Sequence, residues 1–319
     1  MLAMVYTAPL ELKMLDVDEP TPARGEVVIE VAAVGICGSE LEGFASKSPF
    51  RVPPLIMGHE FSGRRMDTGE PVAVNPVVSC GGCDMCLRGM SNICRDRKIL
   101  GIQRAGAFAQ RVVVPERNCY LLPEDVPLVA AALVEPFANA IHAFRLLQQA
   151  DPLPLRIGVI GAGTLGYLVA WVAQDRGTPH IAVAELSPER RDIVQRSGSY
   201  TVSDHLEGEF DAIFDAVGSS ATRRTSLELL RPGGTAVWLG LHGPEPGIDG
   251  LALIRDEKRV LGTFCYQDVD FRAAVARVAA VNPSALATHP LDEGVGVFER
   301  LISGEVSSLK TLLLPSDGS

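Results

Sequence analysis

The feature that most constrains the fold is Gly161-Ala162-Gly163-Thr164-Leu165-Gly166, set between the apolar run Ile157–Ile160 and a helical stretch beginning at Thr164. A G-x-G-x-x-G string alone is weak. At a strand-to-helix turn it gains weight, because the glycines let a pyrophosphate approach the backbone at a helix N-terminus. Glu185 lies 24 residues after Gly161, at the end of the next apolar run, Ile181–Ala184. A carboxylate there accepts hydrogen bonds from the adenosine ribose and repels a 2′-phosphate, which predicts NAD rather than NADP. The alternation continues. A helix is expected from Pro188, Ala212–Phe214 precedes the helical stretch Ala221–Leu230, and Thr235–Leu239 follows the turn Pro232-Gly233-Gly234. Strands alternating with helices imply βαβ units and a doubly wound parallel sheet, the Rossmann arrangement.

The first half has a different texture. Val27–Ile36, Pro71–Asn75 and Phe108–Val114 are short β-branched runs bounded by Gly and Pro, and no long helical period appears among them. A helical pattern runs from Leu128 towards Gln149, interrupted at Pro136, and Asp151-Pro152-Leu153-Pro154 reads as a boundary. A last helix, Phe271–Ala280, is expected to stop at Asn282-Pro283, and Leu291–Leu314 reads as one helix and one strand. The net charge of −10 argues against nucleic-acid binding, which relies on Lys and Arg against phosphate. The uncharged stretch Ile157–Gln174 is long enough to span a bilayer, but its four glycines belong to the nucleotide fold, so no membrane association is expected. The first basic residue is Lys13 and no secretory signal is recognisable, so a cytoplasmic protein is expected.

Seven cysteines without a secretory signal argue against a disulfide framework. Four of them, Cys80, Cys83, Cys86 and Cys94, form C-x2-C-x2-C-x7-C on a loop rich in glycine. Four thiolates this close can surround Zn²⁺ with no open position, a structural site. An iron–sulfur cluster favours a shorter last gap followed by proline; here the gap is seven and Arg95 follows, so zinc is preferred. Zn²⁺ with four thiolates carries a net charge of −2, which Arg88, Arg95, Arg97 and Lys98 are placed to offset. Cys37 ends an apolar run in Gly35–Glu40, and His59 stands in Gly58-His59-Glu60. Either residue alone reads as structural; beside a nucleotide fold they read as a metal pair. Cys119 and Cys265 are expected to be core thiols.

Taken in order, Gly35–Glu40, Gly58-His59-Glu60, the four-cysteine lobe, Ala131–Ala143 and the dinucleotide fingerprint resemble the zinc-dependent medium-chain dehydrogenase/reductase family, in its sorbitol, polyol and threonine dehydrogenase-like branch. The resemblance covers essentially the whole chain. It implies a GroES-like β-rich catalytic domain over 1–150, a Rossmann NAD-binding domain over 151–286, and a return to the catalytic domain over 287–319, with the active site in the cleft between domains. It implies that Cys37 and His59 hold a catalytic zinc, with Glu60 or Glu135 completing the ligand set. Charge counting favours one glutamate at a time. Ser39 takes the hydroxyl position that accepts the substrate proton. Gly161, Gly163, Thr164, Leu165, Gly166, Glu185 and Arg190 face the dinucleotide, and Ala216 and Val217 lie on a loop against the nicotinamide ribose. Pairing of Rossmann domains into a homodimer or homotetramer is the family habit.

Three departures stand out. Glu42 occupies a place where many members carry the histidine that ends the proton relay, the loop Ser62–Pro71 is short, and Glu185 replaces a commoner aspartate. His142 lies within Ala131–Ala143 but is expected to be a packed helix histidine. The expected reaction is hydride transfer from a secondary alcohol, of polyol, cyclitol or sugar type, to NAD. A 2-amino-3-hydroxy acid is the alternative substrate class. The rival readings are a zinc-free quinone or enoyl reductase, or a catalytically silent protein that binds NAD and zinc.

Overall fold

A strand such as Phe210–Asp215, buried at every position, must be covered on both faces, and the second half of the chain achieves this with a parallel sheet. A computed structural model describes residues 1–45, 50–241, 247–281, 286–305 and 308–315. Six parallel strands lie in the spatial order Thr201–Ser203, His180–Ala184, Arg156–Ile160, Phe210–Asp215, Leu230–Trp238, Arg259–Gly262. The first strand in sequence thus sits third in space. The order reverses between Arg156–Ile160 and Phe210–Asp215, and such a reversal opens a crevice at the carboxyl ends of the two strands. Helices Thr164–Asp175, Pro188–Ser197 and Ser220–Glu228 make the crossovers. Ile160, Phe210, Ile213, Leu230 and Ala236 are buried together within this unit. The stretch Ile157–Gln174 divides into strand, glycine turn and helix, and no helix among the described residues is long and apolar enough to cross a membrane.

The other unit is built on a seven-stranded sheet. Its order is Cys119–Leu121, Pro71–Val74, Glu60–Arg65, Glu26–Gly35, Lys310–Leu314, Leu286–Pro290, with Arg111–Pro115 also paired to Glu26–Gly35. The C-terminal strand is therefore a central one: Leu312 pairs with Gly35 and Leu313 with Val34. Its run of Leu and Thr suits a position buried on both faces. Phe44, Phe108 and Phe298 pack edge to face in this core, at 5.4 Å and 6.4 Å between centroids.

The two units consist of Met1–Glu135, Gln267–Val306 and Lys310–Ser319, and of Pro136–Tyr266 with Ser307–Leu309. The sequence boundaries at 150 and 286 are thereby displaced. Helix Val134–Ala150 joins the second unit from Pro136 onward, because Phe137 packs on Trp171 at 5.3 Å and Phe144 stacks on Phe214 at 6.1 Å. Helix Asp268–Arg277 joins the first, where Tyr120 donates to Asp268 and its ring lies 4.6 Å from that of Phe271. Pro136 does not interrupt a helix. It stands in the first turn of Val134–Ala150, where its missing N–H has no helical partner to lose. The expected stop at Asn282-Pro283 lies outside the described residues.

Candidate active site and metal centres

The pairing of Gly35 with Glu60 determines the centre of the first unit. Cys37 follows one of these strands and His59 immediately precedes the other, so antiparallel register brings them together. Ligand atoms of Cys37, His59 and Glu60 all lie within 4.8 Å of one another. Glu40, in the first turn of helix Gly38–Ala45, is fully buried beneath them. It accepts from the Cys37 N–H at 2.9 Å and the Gly58 N–H at 2.8 Å, and pairs with His59 Nδ1 at 2.9 Å. Burial raises the Glu40 pKa, but His59, Arg51 and the Cys37 amide outweigh it, and the carboxyl is held below its usual range. Burial likewise opposes a charged His59; Glu40 and Cys37 overcome it, and the imidazole is raised well above its ordinary value. A proton on Nδ1, held by a carboxylate, leaves the Nε2 lone pair for a metal. The sequence analysis gives Glu40 no role beyond its place in Gly35–Glu40. The available signal was its position three residues after Cys37, on the turn that must fold back beneath it.

A second residue escaped the sequence reading. Lys310 is buried, ion-paired to Glu60, and donates to Ile36 O at 2.9 Å. Burial disfavours its charge, yet Glu60, Cys37 and Glu40 together hold its pKa above the ordinary lysine value. Gly35 makes room for this pair, since a Cβ there would overlap Glu60 Oε2 and Lys310 Cε. The clue in the sequence is one cation inside the apolar run Leu309–Leu314.

Ser39 lies beside this group, with its Oγ 3.4 Å from Cys37 Sγ and 3.1 Å from Arg51 Nη2. Glu42 is exposed. Glu135 is buried in the first turn of its helix and is not among the three residues the structure groups. His142 is buried on the same helix, 3.1 Å from Arg145 Nη2 through Nδ1. Cys119 is half-buried, and burial pushes its thiol up to about 12.

The four-cysteine lobe closes on itself. Sulfur separations are 3.5 Å for Cys83–Cys86, 3.7 Å for Cys83–Cys94, 3.5 Å for Cys80–Cys94 and 3.9 Å for Cys80–Cys86. A tetrahedron with Zn–S bonds of about 2.3 Å has edges of about 3.8 Å, so the donor set fits zinc. The amides of Cys80 and Cys83 point at sulfurs, each at 3.4 Å. The Cys86 amide is the main cause that lowers the Cys83 thiol to about 6, and burial pushes Cys94 up to about 11. Of the basic run, Arg97 bonds the Cys94 carbonyl at 3.0 Å, while Arg95 faces Asp84.

In the second unit each fingerprint glycine has its own reason. Gly161 has φ +88°, and a Cβ on Gly166 would collide with the Gly161 carbonyl, so helix and strand pack through bare backbone. A Cβ on Gly163, by contrast, would meet nothing within 4 Å. That open face at the N-terminus of helix Thr164–Asp175 is what a pyrophosphate needs. Thr164 bonds Leu309 O at 2.6 Å, and Leu165 is half-buried beside it. Glu185 accepts from the Ala162 N–H at 2.7 Å and the Ser187 N–H at 2.9 Å, with Arg190 Nη1 at 4.0 Å. Ala216 continues the sheet edge by donating to Ile160 O at 3.0 Å, and Val217 is 40% exposed, an apolar side chain offered at the crevice.

Comparison with known proteins agrees with this geometry. The alcohol dehydrogenase GroES-like domain family matches residues 23–124, and the zinc-binding dehydrogenase family matches residues 164–280. The chain is 30% identical to L-galactonate-5-dehydrogenase of Escherichia coli, covering 91% of each chain. It is 32% identical to L-threonine 3-dehydrogenase of Streptomyces coelicolor, covering 79% of this chain and 80% of that one. The structure of acetophenone reductase from Geotrichum candidum, solved with NAD, matches with a TM-score of 0.89 at 25% identity, covering 98% and 96%. With both domain families matched, and a relative at 30% identity along nearly its full length, the chain belongs to the zinc-dependent medium-chain dehydrogenase/reductase family of alcohol dehydrogenases.

Proposed function

We propose that this protein oxidises a secondary alcohol of polyol, cyclitol or sugar type to a ketone with NAD. It would hold two zinc ions per chain, one structural and one catalytic, and work in the cytoplasm as a homodimer or homotetramer. The reading rests on one observation, the convergence of Cys37, His59 and Glu60 with Ser39 beside them. These three are a thiolate, an imidazole and a carboxylate, the donor set of a catalytic zinc rather than of a closed structural one. Bound zinc would polarise an alcohol oxygen and favour loss of its proton, and NAD would accept the hydride.

The chain's own residues do the rest. Cys37 and His59 would hold the metal, and Glu40 orients the imidazole through Nδ1. Glu60, paired with Lys310, stands ready as a third ligand, with Glu135 as the alternative carboxylate. Ser39 Oγ would receive the substrate proton. Cys80, Cys83, Cys86 and Cys94 would hold the structural ion. Gly161, Gly163, Thr164, Leu165 and Gly166 would seat the pyrophosphate, Glu185 with Arg190 nearby the adenosine ribose, and Ala216 and Val217 the nicotinamide side. Similarity to a threonine 3-dehydrogenase supports an amino-hydroxy acid as the second substrate class. The test is elemental analysis joined to an NAD-coupled screen of polyols, sugar acids and hydroxy amino acids. Turnover lost in Cys37→Ser, with one zinc retained, is the expected result. One zinc or none in fully active protein would overturn it.

A further inference from the structure

Arg51 is an unusual buried charge among the described residues. It is 7% exposed, while its neighbours Phe50 and Val52 are 65% and 67% exposed. The backbone here turns a guanidinium inward and leaves two apolar side chains outside, the reverse of the usual arrangement. Arg51 Nη2 donates to Ser39 Oγ at 3.1 Å. Its Nε–H is buried and has no hydrogen-bond partner among the described residues. No carboxylate among the described residues forms an ion pair with it, and residues 46–49 carry no acidic side chain. Glu40 is near enough to feel its charge, but both Glu40 oxygens are already committed to Cys37, Gly58 and His59. A buried cation without a bonded anion is costly, because its lost hydration must be offset by something.

The surrounding backbone is shaped for this side chain. Ser39 and Gly43 lie four residues apart on one face of helix Gly38–Ala45. A Cβ on Gly43 would come within 2.7 Å of Arg51 Nη1 and 2.9 Å of Arg51 Cδ. A side chain at 43 would therefore force the guanidinium to shift from its place beside Ser39.

We infer that Arg51 is a specificity-determining residue that binds a carboxylate on the substrate. This inference rests on the proposed role of Ser39. A substrate whose reacting hydroxyl lies at Ser39 brings its neighbouring carbons past the Arg51 guanidinium, whose Nη2 lies 3.1 Å from Ser39 Oγ. A carboxylate there makes charge-assisted hydrogen bonds in the planar fork geometry that guanidinium offers. The substrate class narrows from neutral polyols to hydroxy acids, of the aldonate or amino-hydroxy type. The pyrophosphate of NAD is a second source of the same anionic chemistry, and the experiment separates the two.

The zinc-loaded protein with saturating NAD is assayed on six-carbon aldonates and on the alditols of matching configuration. The parent is expected to favour the acid. In Arg51→Met the acid-to-alditol ratio of kcat/KM should fall thirtyfold or more, with partial recovery in Arg51→Lys. Gly43→Ala, which displaces the guanidinium without removing it, should lower the ratio in the same direction. The dissociation constant for NAD, from fluorescence quenching, should change less than threefold. An unchanged ratio with NAD binding weakened tenfold would assign Arg51 to the pyrophosphate and overturn the inference. So would a fall in kcat shared equally by acid and alditol, which would leave Arg51 as a support for Ser39 alone, or a parent that prefers the alditol. If the parent oxidises no alcohol at all, the proposed activity fails. Calorimetric titration of aldonate into parent and Arg51→Met then decides the carboxylate site by itself: tighter binding to the parent supports it, and equal binding removes it.

Discussion

Replacing Lys310 by methionine tests whether the buried pair with Glu60 holds the first unit's sheet together. Both residues are almost wholly buried, at 4% and 2% exposure, and methionine conserves most of the lysine volume. The substitution therefore acts on charge rather than packing. It leaves the Glu60 carboxylate without its cation, and the Ile36 carbonyl loses a donor at 2.9 Å. Breaking one side of a buried pair costs about 3–5 kcal/mol, whereas replacing both sides is close to neutral. For a domain of this size that loss lowers the melting temperature by roughly 6–20 °C. Scanning calorimetry of Lys310→Met, Glu60→Gln and the double variant, with the four-cysteine lobe loaded and the Cys37 site metal-free, provides the assay. The single lysine change should melt well below the parent, and the double variant should regain most of the difference, because the neutral amide no longer demands a counter-charge. Gly35→Ala should resemble Lys310→Met, since its Cβ intrudes on both partners. A Lys310→Met scan within 2 °C of the parent, or a double variant no better than the single, would refute the reasoning.

Cys83→Ser should lose one zinc and unfold at lower temperature, because structural zinc carries about 10–16 kcal/mol of apparent binding energy in small sites; Cys37→Ser should lose turnover and keep that ion, as metal analysis would show. Glu185→Ala should narrow the preference for NAD over NADP at least tenfold, since a unit charge about 4 Å from a phosphate costs roughly 4 kcal/mol at an effective dielectric near 20; equal use of both cofactors by the unmodified protein would contradict the assignment. The same change also removes the acceptor for the Ala162 and Ser187 amides, so a modest drop in stability should accompany it. Glu42→Gln should leave the pH profile of oxidation unchanged within about twofold, because Glu42 is exposed; a tenfold loss, typical of a positioned general base, would show that it accepts the proton.

The sequence by itself determined what local spacing encodes. Three glycines at the turn after Ile157–Ile160, a carboxylate after the next apolar run, and four cysteines within fifteen residues each require particular atoms at particular short separations, and a chain can write such requirements directly. Gly166 against the Gly161 carbonyl and the sulfur separations near 3.7 Å are those requirements met in space. Cys37 and His59 were legible as residue types. Their meeting depended on the register that pairs Gly35 with Glu60, which no local pattern states. Only tertiary structure decided the surroundings of that meeting. Glu40 beneath His59, Lys310 arriving from the C-terminal strand 274 residues after Ile36, and Arg51 turned inward across Gly43 are all charged residues that sequence statistics place at the surface. The physical reason is that burying a charge is unfavourable in isolation and becomes tolerable only through partners that the fold supplies. Most of those partners lie on other elements of the fold, so the information resides in the packing, and a reading confined to neighbours along the chain has no access to it.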